Sequence, residues 1–217
     1  MSSGAAVVDV AAFDVDGTLT VRDCVVPFLV RVGGWGSVAA ALGRRAAHSA
    51  VSVARRDRDG LKAIVVGGVL RGRRVADVER VGESFAAEVH DRWLRSDTVA
   101  RLRWHQQSGH LVVLVSASLG QYLRPLGRRL GVDGVLCTEP GTTGDGEFAD
   151  GLDGGNCRAA EKVRRLESWL ADRGITAASL WAYGDSSGDR ELLARADHPM
   201  LVGRMAVPAV PAGGGAC

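Results

Sequence analysis

A valine-rich run that ends in two aspartates is the feature that most limits how this chain can fold. Residues 7–13 are apolar and lead into Asp14-Val15-Asp16-Gly17, a pattern typical of a buried strand that runs into a tight turn. Because side chains alternate along a strand, Asp14 and Asp16 start on the same face. Two such carboxylates repel each other unless one is protonated or a cation such as Mg²⁺ lies between them. An acidic turn without a ligand is the simpler alternative.

The rest of the chain alternates short apolar runs with helix-like segments. Helices are predicted between the strands, with Asp97 as the N-cap of one and Ser118 at the start of another. This alternation predicts an α/β fold, a Rossmann-like parallel sheet with helices on both faces, whose ligands bind beyond the carboxyl ends of the strands. The further predicted strands cover 111–115, 134–138, 180–183 and 200–202, with a loop or small hairpin across 141–155.

The segment between the first two predicted strands has a different character. From 23 to 96, alanine, arginine and valine dominate, and apolar residues recur at helical spacing without a convincing strand. The sequence therefore predicts an inserted helical domain of three or four helices at 23–96. The core domain is then discontinuous, 1–22 with 97–207, and the Pro/Gly/Ala-rich tail 208–217 is expected to be disordered.

Polar residues that can carry chemistry follow two further strands. Asp185 can add a carboxylate to the same cation, and Asp189 can lie one helical turn behind it or simply cap the next helix. Ser116 can donate its hydroxyl to an anion, with the backbone amide of Ala117 beside it at a helix start. Lys162, one of only two lysines, can neutralise phosphate, although a lone lysine near a helix start is usually solvated.

Composition limits the partners of the protein. The net charge of +2 does not indicate a nucleic-acid partner. The four cysteines are widely spaced, which argues against a zinc site or a disulfide scaffold and favours a cytoplasmic location. We see no signal-peptide pattern, and the longest strongly apolar stretch, 64–70, is too short to cross a bilayer.

Taken in order, these motifs resemble the haloacid dehalogenase superfamily, in particular its subfamily IB, the phosphoserine phosphatase-like branch. Residues 13–20 look like its D-x-D-G-T loop, and 113–116 look like its second motif. Lys162 fits the third motif, and Asp185 with Asp189 fits the fourth. The helical insert looks like a C1-type cap, and the resemblance covers 7–203.

The resemblance implies a Mg²⁺-dependent phosphatase that acts on a small phosphorylated metabolite through a phospho-aspartyl intermediate on Asp14. Asp16 would protonate the leaving group and then activate water, and its presence favours a phosphatase over a dehalogenase. Mg²⁺ would be held by Asp14, the backbone carbonyl of Asp16 and Asp185, with Asp189 in support. The transferring phosphoryl group would be bound by Ser116, Ala117 and Lys162.

Two positions depart from the phosphoserine phosphatase pattern. Gly188 stands where Asn is usual, and Asp23 stands where a substrate-contacting Glu is usual. Asp23 is thus a candidate substrate contact, but its shorter side chain puts phosphoserine itself in doubt. Phe28 and Trp35 are expected to pack the core of the insert. Substrate-binding candidates in the insert are Arg44, Arg45, Arg55, Arg56 and Arg58.

Three alternatives stay open at this point. A phosphotransferase or phosphomutase would share the fold and a similar insert. A lipid-phosphate phosphatase would suit the apolar segments 25–30 and 64–70. A phospho-accepting receiver domain fits least, because receiver domains have no inserted cap.

Overall fold

The structure, a computed structural model, describes residues 6–48, 58–203 and 207. Six strands and seven helices are found in this part of the chain. In chain order they are β1 (Ala6–Phe13), α1 (Val25–His48), α2 (Arg58–Leu70), α3 (Val75–Arg92), α4 (Ser96–Gln107), β2 (Leu111–Leu119), α5 (Gly120–Leu130), β3 (Gly134–Thr142), β4 (Phe148–Asp153), α6 (Ala160–Ala171), β5 (Ile175–Gly184), α7 (Arg190–Arg195) and β6 (His198–Leu201).

The strands form one sheet in the order β4-β3-β2-β1-β5-β6, parallel except for the antiparallel β3–β4 pair. The predicted parallel sheet and the hairpin across 141–155 are therefore confirmed. Phe13 at the end of β1 pairs with Leu114 of β2 on one side and Tyr183 of β5 on the other. β5 ends one residue after this pairing, whereas β2 continues to Leu119, so the residues that follow Phe13, Leu114 and Tyr183 meet at one edge of the sheet.

Alternate residues of β1 pack into two separate apolar layers, which explains why this strand is apolar throughout. Val10 and Ala12 pack with Leu166 of α6 and Leu192 of α7. On the opposite face, Phe13 belongs to the larger cluster formed with α4, α5 and the inserted helices. Both faces of the sheet are thus covered, as the sequence predicts.

Three helices, α1 to α3, occupy the predicted helical insert, and we call them the cap helices. Phe28 of α1, Phe85 of α3 and Tyr122 of α5 form an aromatic cluster with ring centroids 4.8–5.5 Å apart. A Cβ atom on Gly82 of α3 would lie 2.0 Å from the carbonyl oxygen of Gln121, so glycine permits the close approach of α3 to α5. The division into core and cap domains stays a prediction.

Several expectations for single residues are wrong or fall outside the described part of the chain. Phe28 is buried as expected, but Trp35 is 70% exposed. Asp97 lies in the first turn of α4 rather than at its N-cap, which is Arg95. Its carboxylate accepts hydrogen bonds from the guanidinium of Arg95 at 2.9 Å and from the amide of Val207 at 2.9 Å. The predictions outside the described residues concern Arg55, Arg56, the side chains of Arg44, Arg45 and Arg58, and the tail 208–217.

One helical segment among the described residues, Val25–Gly43, is long and apolar enough to cross a membrane by length and composition alone. It lies within α1, which is broken at Gly34 (φ 76°, ψ 163°) and which buries Phe28 and Leu29 against its neighbours. Buried core helices can have the same length and apolar composition, so this segment is weak evidence for a membrane span.

Candidate active site

A tight turn at the end of β1 sets the position of the first two aspartates. The carbonyl of Val15 accepts hydrogen bonds from the amides of Thr18, Leu19 and Thr20. Gly17 has φ of 82°, and a Cβ atom there would lie 2.2 Å from Oδ2 of Asp185. Glycine therefore satisfies both the left-handed backbone and the close approach of the loop that follows β5.

Lys162 lies buried between two carboxylates. Its Nζ donates to Oδ1 of Asp14 at 2.6 Å and to Oδ1 of Asp189 at 2.5 Å. Burial by itself would lower the pKa of Lys162, but the two carboxylates raise it above its ordinary value. Burial raises the pKa of Asp14, and the lysine cation opposes that rise. The expectation that a lone lysine is solvated does not hold here, because the start of α6 points into the site.

Three carboxylates meet at this edge and can hold a metal ion. Oxygen atoms of Asp14, Asp185 and Asp189 lie within 4.8 Å of one another. Burial, followed by repulsion from Asp14 and Asp189, raises the pKa of Asp185 to about 6. One lysine does not balance three carboxylates, and hard oxygen ligands fit Mg²⁺. The donor set therefore suits a divalent cation.

The hydrogen bonds of Asp189 separate it from the other two carboxylates. Its Oδ1 accepts from Lys162, and its Oδ2 accepts from the amide and hydroxyl of Ser186 at 3.1 and 2.9 Å. Both oxygens are thus engaged with protein donors. This arrangement agrees with a supporting role for Asp189 beside the proposed ligands Asp14 and Asp185.

The side chain of Asp16 is held apart from this cluster. Its Oδ1 accepts from the amide of Cys24 at 2.9 Å, and its Oδ2 accepts from Oγ of Ser118 at 2.6 Å. Burial, then the charges of Asp23 and Asp14, raise the pKa of Asp16 to about 7. A carboxyl group with this pKa carries a proton in part of the population at neutral pH and can exchange it.

The sequence did not predict the hydrogen bond from Ser118 to Asp16. It predicts a helix that starts at Ser118, but β2 continues to Leu119 and α5 begins at Gly120. The backbone amide of Ala117 therefore belongs to a strand, and the argument from a helix N-terminus is wrong, although phosphate binding by Ser116 and Ala117 stays a prediction. The amide of Ser118 donates to Oγ of Ser116 at 3.2 Å.

A cavity of about 750 Å³ lies between this sheet edge and the cap helices. Asp23 lines it, and its Oδ1 also accepts from the amide of Val26 at 3.2 Å, so it caps α1. The structure brings all the predicted site residues to its wall: Asp14, Asp16, Asp23, Ser116, Ala117, Lys162, Asp185 and Asp189.

Basic residues that the sequence reasoning did not assign also line the cavity. Lys62 reaches from α2 and donates to the carbonyl of Ala117 and, at 3.2 Å, to Oδ1 of Asn156. Arg22 and Arg158 line the same cavity. The scarcity of lysine in the chain was the one signal that could have selected Lys62.

Residues 11–194 match the family described as haloacid dehalogenase-like hydrolase. The chain is 41% identical over 189 residues to Protein CicA of Caulobacter vibrioides, which covers 86% of this chain and 82% of that protein. It is 29% identical over 101 residues to a histidinol-phosphatase of Neisseria meningitidis serogroup C. That alignment covers 45% of this chain and 46% of the histidinol-phosphatase.

Two solved structures illustrate the likeness in fold. A protein of unknown function from Bordetella pertussis Tohama I superposes with a TM-score of 0.73 at 26% identity and covers 91% of this chain and 90% of that one. A substrate-bound phosphoserine phosphatase complex superposes with a TM-score of 0.59 at 17% identity and covers 87% of this chain and 82% of that one. At that identity the second likeness concerns the fold alone.

Proposed function

The chain belongs to the haloacid dehalogenase-like hydrolase family, and we propose that it is a Mg²⁺-dependent phosphatase that hydrolyses a phosphomonoester through a phospho-aspartyl intermediate on Asp14. One observation supports this most directly. The same strand end presents Asp14 bound to the Lys162 cation and Asp16 held separately by Ser118, with a pKa of about 7. Two carboxylates in different settings suit a nucleophile and an acid–base group.

In the first half-reaction, an oxygen of Asp14 forms a bond to phosphorus while the bond from phosphorus to the leaving oxygen breaks. Asp16 gives its proton to that oxygen, so the leaving group departs as an alcohol. Lys162 orients Asp14 and stabilises the charge on the transferring phosphoryl group. In the second half-reaction, Asp16 takes a proton from water, which attacks phosphorus and releases phosphate and Asp14.

Asp14 and Asp185, with the backbone carbonyl of Asp16, would hold Mg²⁺. The ion would offset the repulsion between these carboxylates and the phosphate, and it would neutralise charge on the phosphoryl oxygens. Asp189 would keep Lys162 and the loop after β5 in place by the bonds described above.

Trapping the phosphoenzyme tests this proposal. With a ³²P-labelled substrate, acid quenching should recover label on the wild-type protein, whereas Asp14→Asn should carry none and lose activity by several orders of magnitude. EDTA should abolish turnover and Mg²⁺ should restore it. The matched control is Asp91→Asn on the exposed surface of α3, which should behave as wild type.

Phosphate release without an added acceptor distinguishes hydrolysis from phosphoryl transfer to a second substrate. Substantial turnover by a folded Asp14→Asn protein would exclude the covalent route. Full activity after metal stripping would exclude the metal-dependent one.

A further inference from the structure

The wall of the cavity opposite the carboxylates is apolar. Every residue that α1 contributes to the lining is a hydrophobic one, among them Leu29, Val38 and Leu42. From α2, Val65 and Val66 join them. The α1 positions follow helical spacing on each side of the break at Gly34, so one face of α1 is directed at the site.

Exposed apolar side chains concentrate on this same wall. Among the described residues, seven large hydrophobic side chains are exposed, and four of them lie on α1 and α2. Three of those four line the cavity: Val26, Trp35 and Leu42, which are 45%, 70% and 46% exposed. Exposure of apolar surface to water is unfavourable, so a ligand that covers this surface gains binding free energy.

Most charged groups of the cavity belong to the sheet edge and the loops beside it. Lys62 is the charged residue that the cap helices contribute to the described lining, and its Nζ is bound to the carbonyl of Ala117 and to Asn156 beside the sheet edge. A volume of about 750 Å³ is in the range of about 300–1,000 Å³ that holds drug-sized ligands. The cavity therefore joins the polar groups of the sheet edge to the apolar wall of α1 and α2.

We propose that the substrate is a phosphate monoester of an alcohol with a long apolar chain, whose phosphate lies at Asp14 and whose chain lies along α1 and α2. This inference rests on the proposed function and adds the class of leaving group. The polar groups of the sheet edge and the apolar wall belong to one continuous cavity, which argues for one ligand with both characters rather than for a separate protein partner.

A series of n-alkyl phosphates from ethyl to decyl, each kept below its micelle-forming concentration, tests this proposal. Each methylene buried against the wall should raise kcat/KM roughly fourfold until the cavity is filled. Leu42→Gln and Trp35→Gln should lower the decyl-to-ethyl ratio of kcat/KM by about tenfold or more. Leu201→Gln is the matched control, since Leu201 is also 70% exposed but lies on β6 outside the cavity lining.

The outcomes separate this inference from the proposed function. Hydrolysis of ethyl phosphate with no gain from chain length overturns the inference and leaves the phosphatase proposal standing. If none of the phosphates is hydrolysed, the proposed function fails. Calorimetry of ethyl- and decylphosphonate binding in the presence of Mg²⁺ then tests the apolar wall by itself. Tighter binding of decylphosphonate that is lost in Leu42→Gln supports the inference, and equal or absent binding overturns it. A change in size in solution for Trp35→Gln with no chain-length effect would assign the face to a second copy of the chain.

Discussion

Ser118 donates a hydrogen bond of 2.6 Å to Oδ2 of Asp16, across 102 positions of sequence. Tyr122 donates in turn to Oγ of Ser118 at 2.8 Å, and both donors are buried. The bond from Ser118 opposes the rise in the pKa of Asp16 that burial causes. This chain of donors holds the Asp16 carboxyl in one orientation, which suits the proton transfers proposed for it.

Ser118→Ala should lower kcat about tenfold and move the alkaline limb of the pH profile to higher pH, with KM little changed. The pH profile should shift because the hydrogen bond from Ser118 favours the charged form of Asp16. Its removal therefore raises the pKa of that carboxyl further. Ser118→Thr keeps a hydroxyl and should restore most of the activity. Ser84→Ala, on the exposed face of α3, is the control. A loss of kcat with no shift of the pH profile would assign Ser118 a packing role instead.

Asp16→Asn should affect substrates according to how much help their leaving groups need. An alkyl alkoxide requires a proton and p-nitrophenolate does not, so phosphorylation by an alkyl phosphate should slow about a hundred- to ten-thousand-fold, far more than with p-nitrophenyl phosphate. With the aryl substrate, slow hydrolysis of the intermediate should give a burst of p-nitrophenol. Single-turnover kinetics measure both steps, and equal losses for both substrates would remove Asp16 from the acid–base role.

Lys162→Met should destabilise the metal-free protein by about 3–5 kcal/mol, because it leaves buried Asp14 and Asp189 without their cation. Mg²⁺ should recover part of the loss, since a ligand that binds only the folded state stabilises it. Thermal unfolding in EDTA and in Mg²⁺ measures both effects. The comparison variant is Lys62→Met, which removes the other lysine but leaves this carboxylate pair intact. Equal stability of Lys162→Met and wild type in EDTA would contradict the proposed electrostatic balance.

Asp16→Asn should stabilise the metal-free fold increasingly as pH rises from about 4 to 7. In the folded state the pKa of Asp16 is raised from 3.8 to about 7, so the folded protein binds more protons than the unfolded one across this window. The stability that the protonated Asp16 carboxyl contributes is present below pH 4. It is lost as pH rises, by at most about 1.4 kcal/mol per pH unit. Asn has no such loss. Urea unfolding of both proteins in EDTA between pH 4 and 8 measures the difference, and a constant difference would refute the raised pKa.

Local pattern was enough to predict the parallel sheet, the helical insert and the acidic turn after β1. Apolar runs followed by Asp14, Ser116 and Asp185 predict parallel strands with polar ends, and the alternation of strand and helix predicts their common edge. The strands lie side by side with Phe13, Leu114 and Tyr183 in register, and the helical insert falls where apolar residues begin to recur at helical spacing. Each apolar run, its polar end and each helical pattern depend on residues close in sequence, which is why the sequence alone determined them.

Tertiary packing decided the rest. Lys162 reaches Asp14 across 148 positions, and Ser118 faces Asp16 from a strand that runs four residues further than its apolar pattern predicts. The apolar wall of α1 was equally hidden, since periodicity shows that a helix has an apolar face but not whether that face packs on a neighbour or lines a cavity. Strand register and helix docking are set by the burial of surfaces far apart in the chain, and only the folded molecule brings those surfaces together.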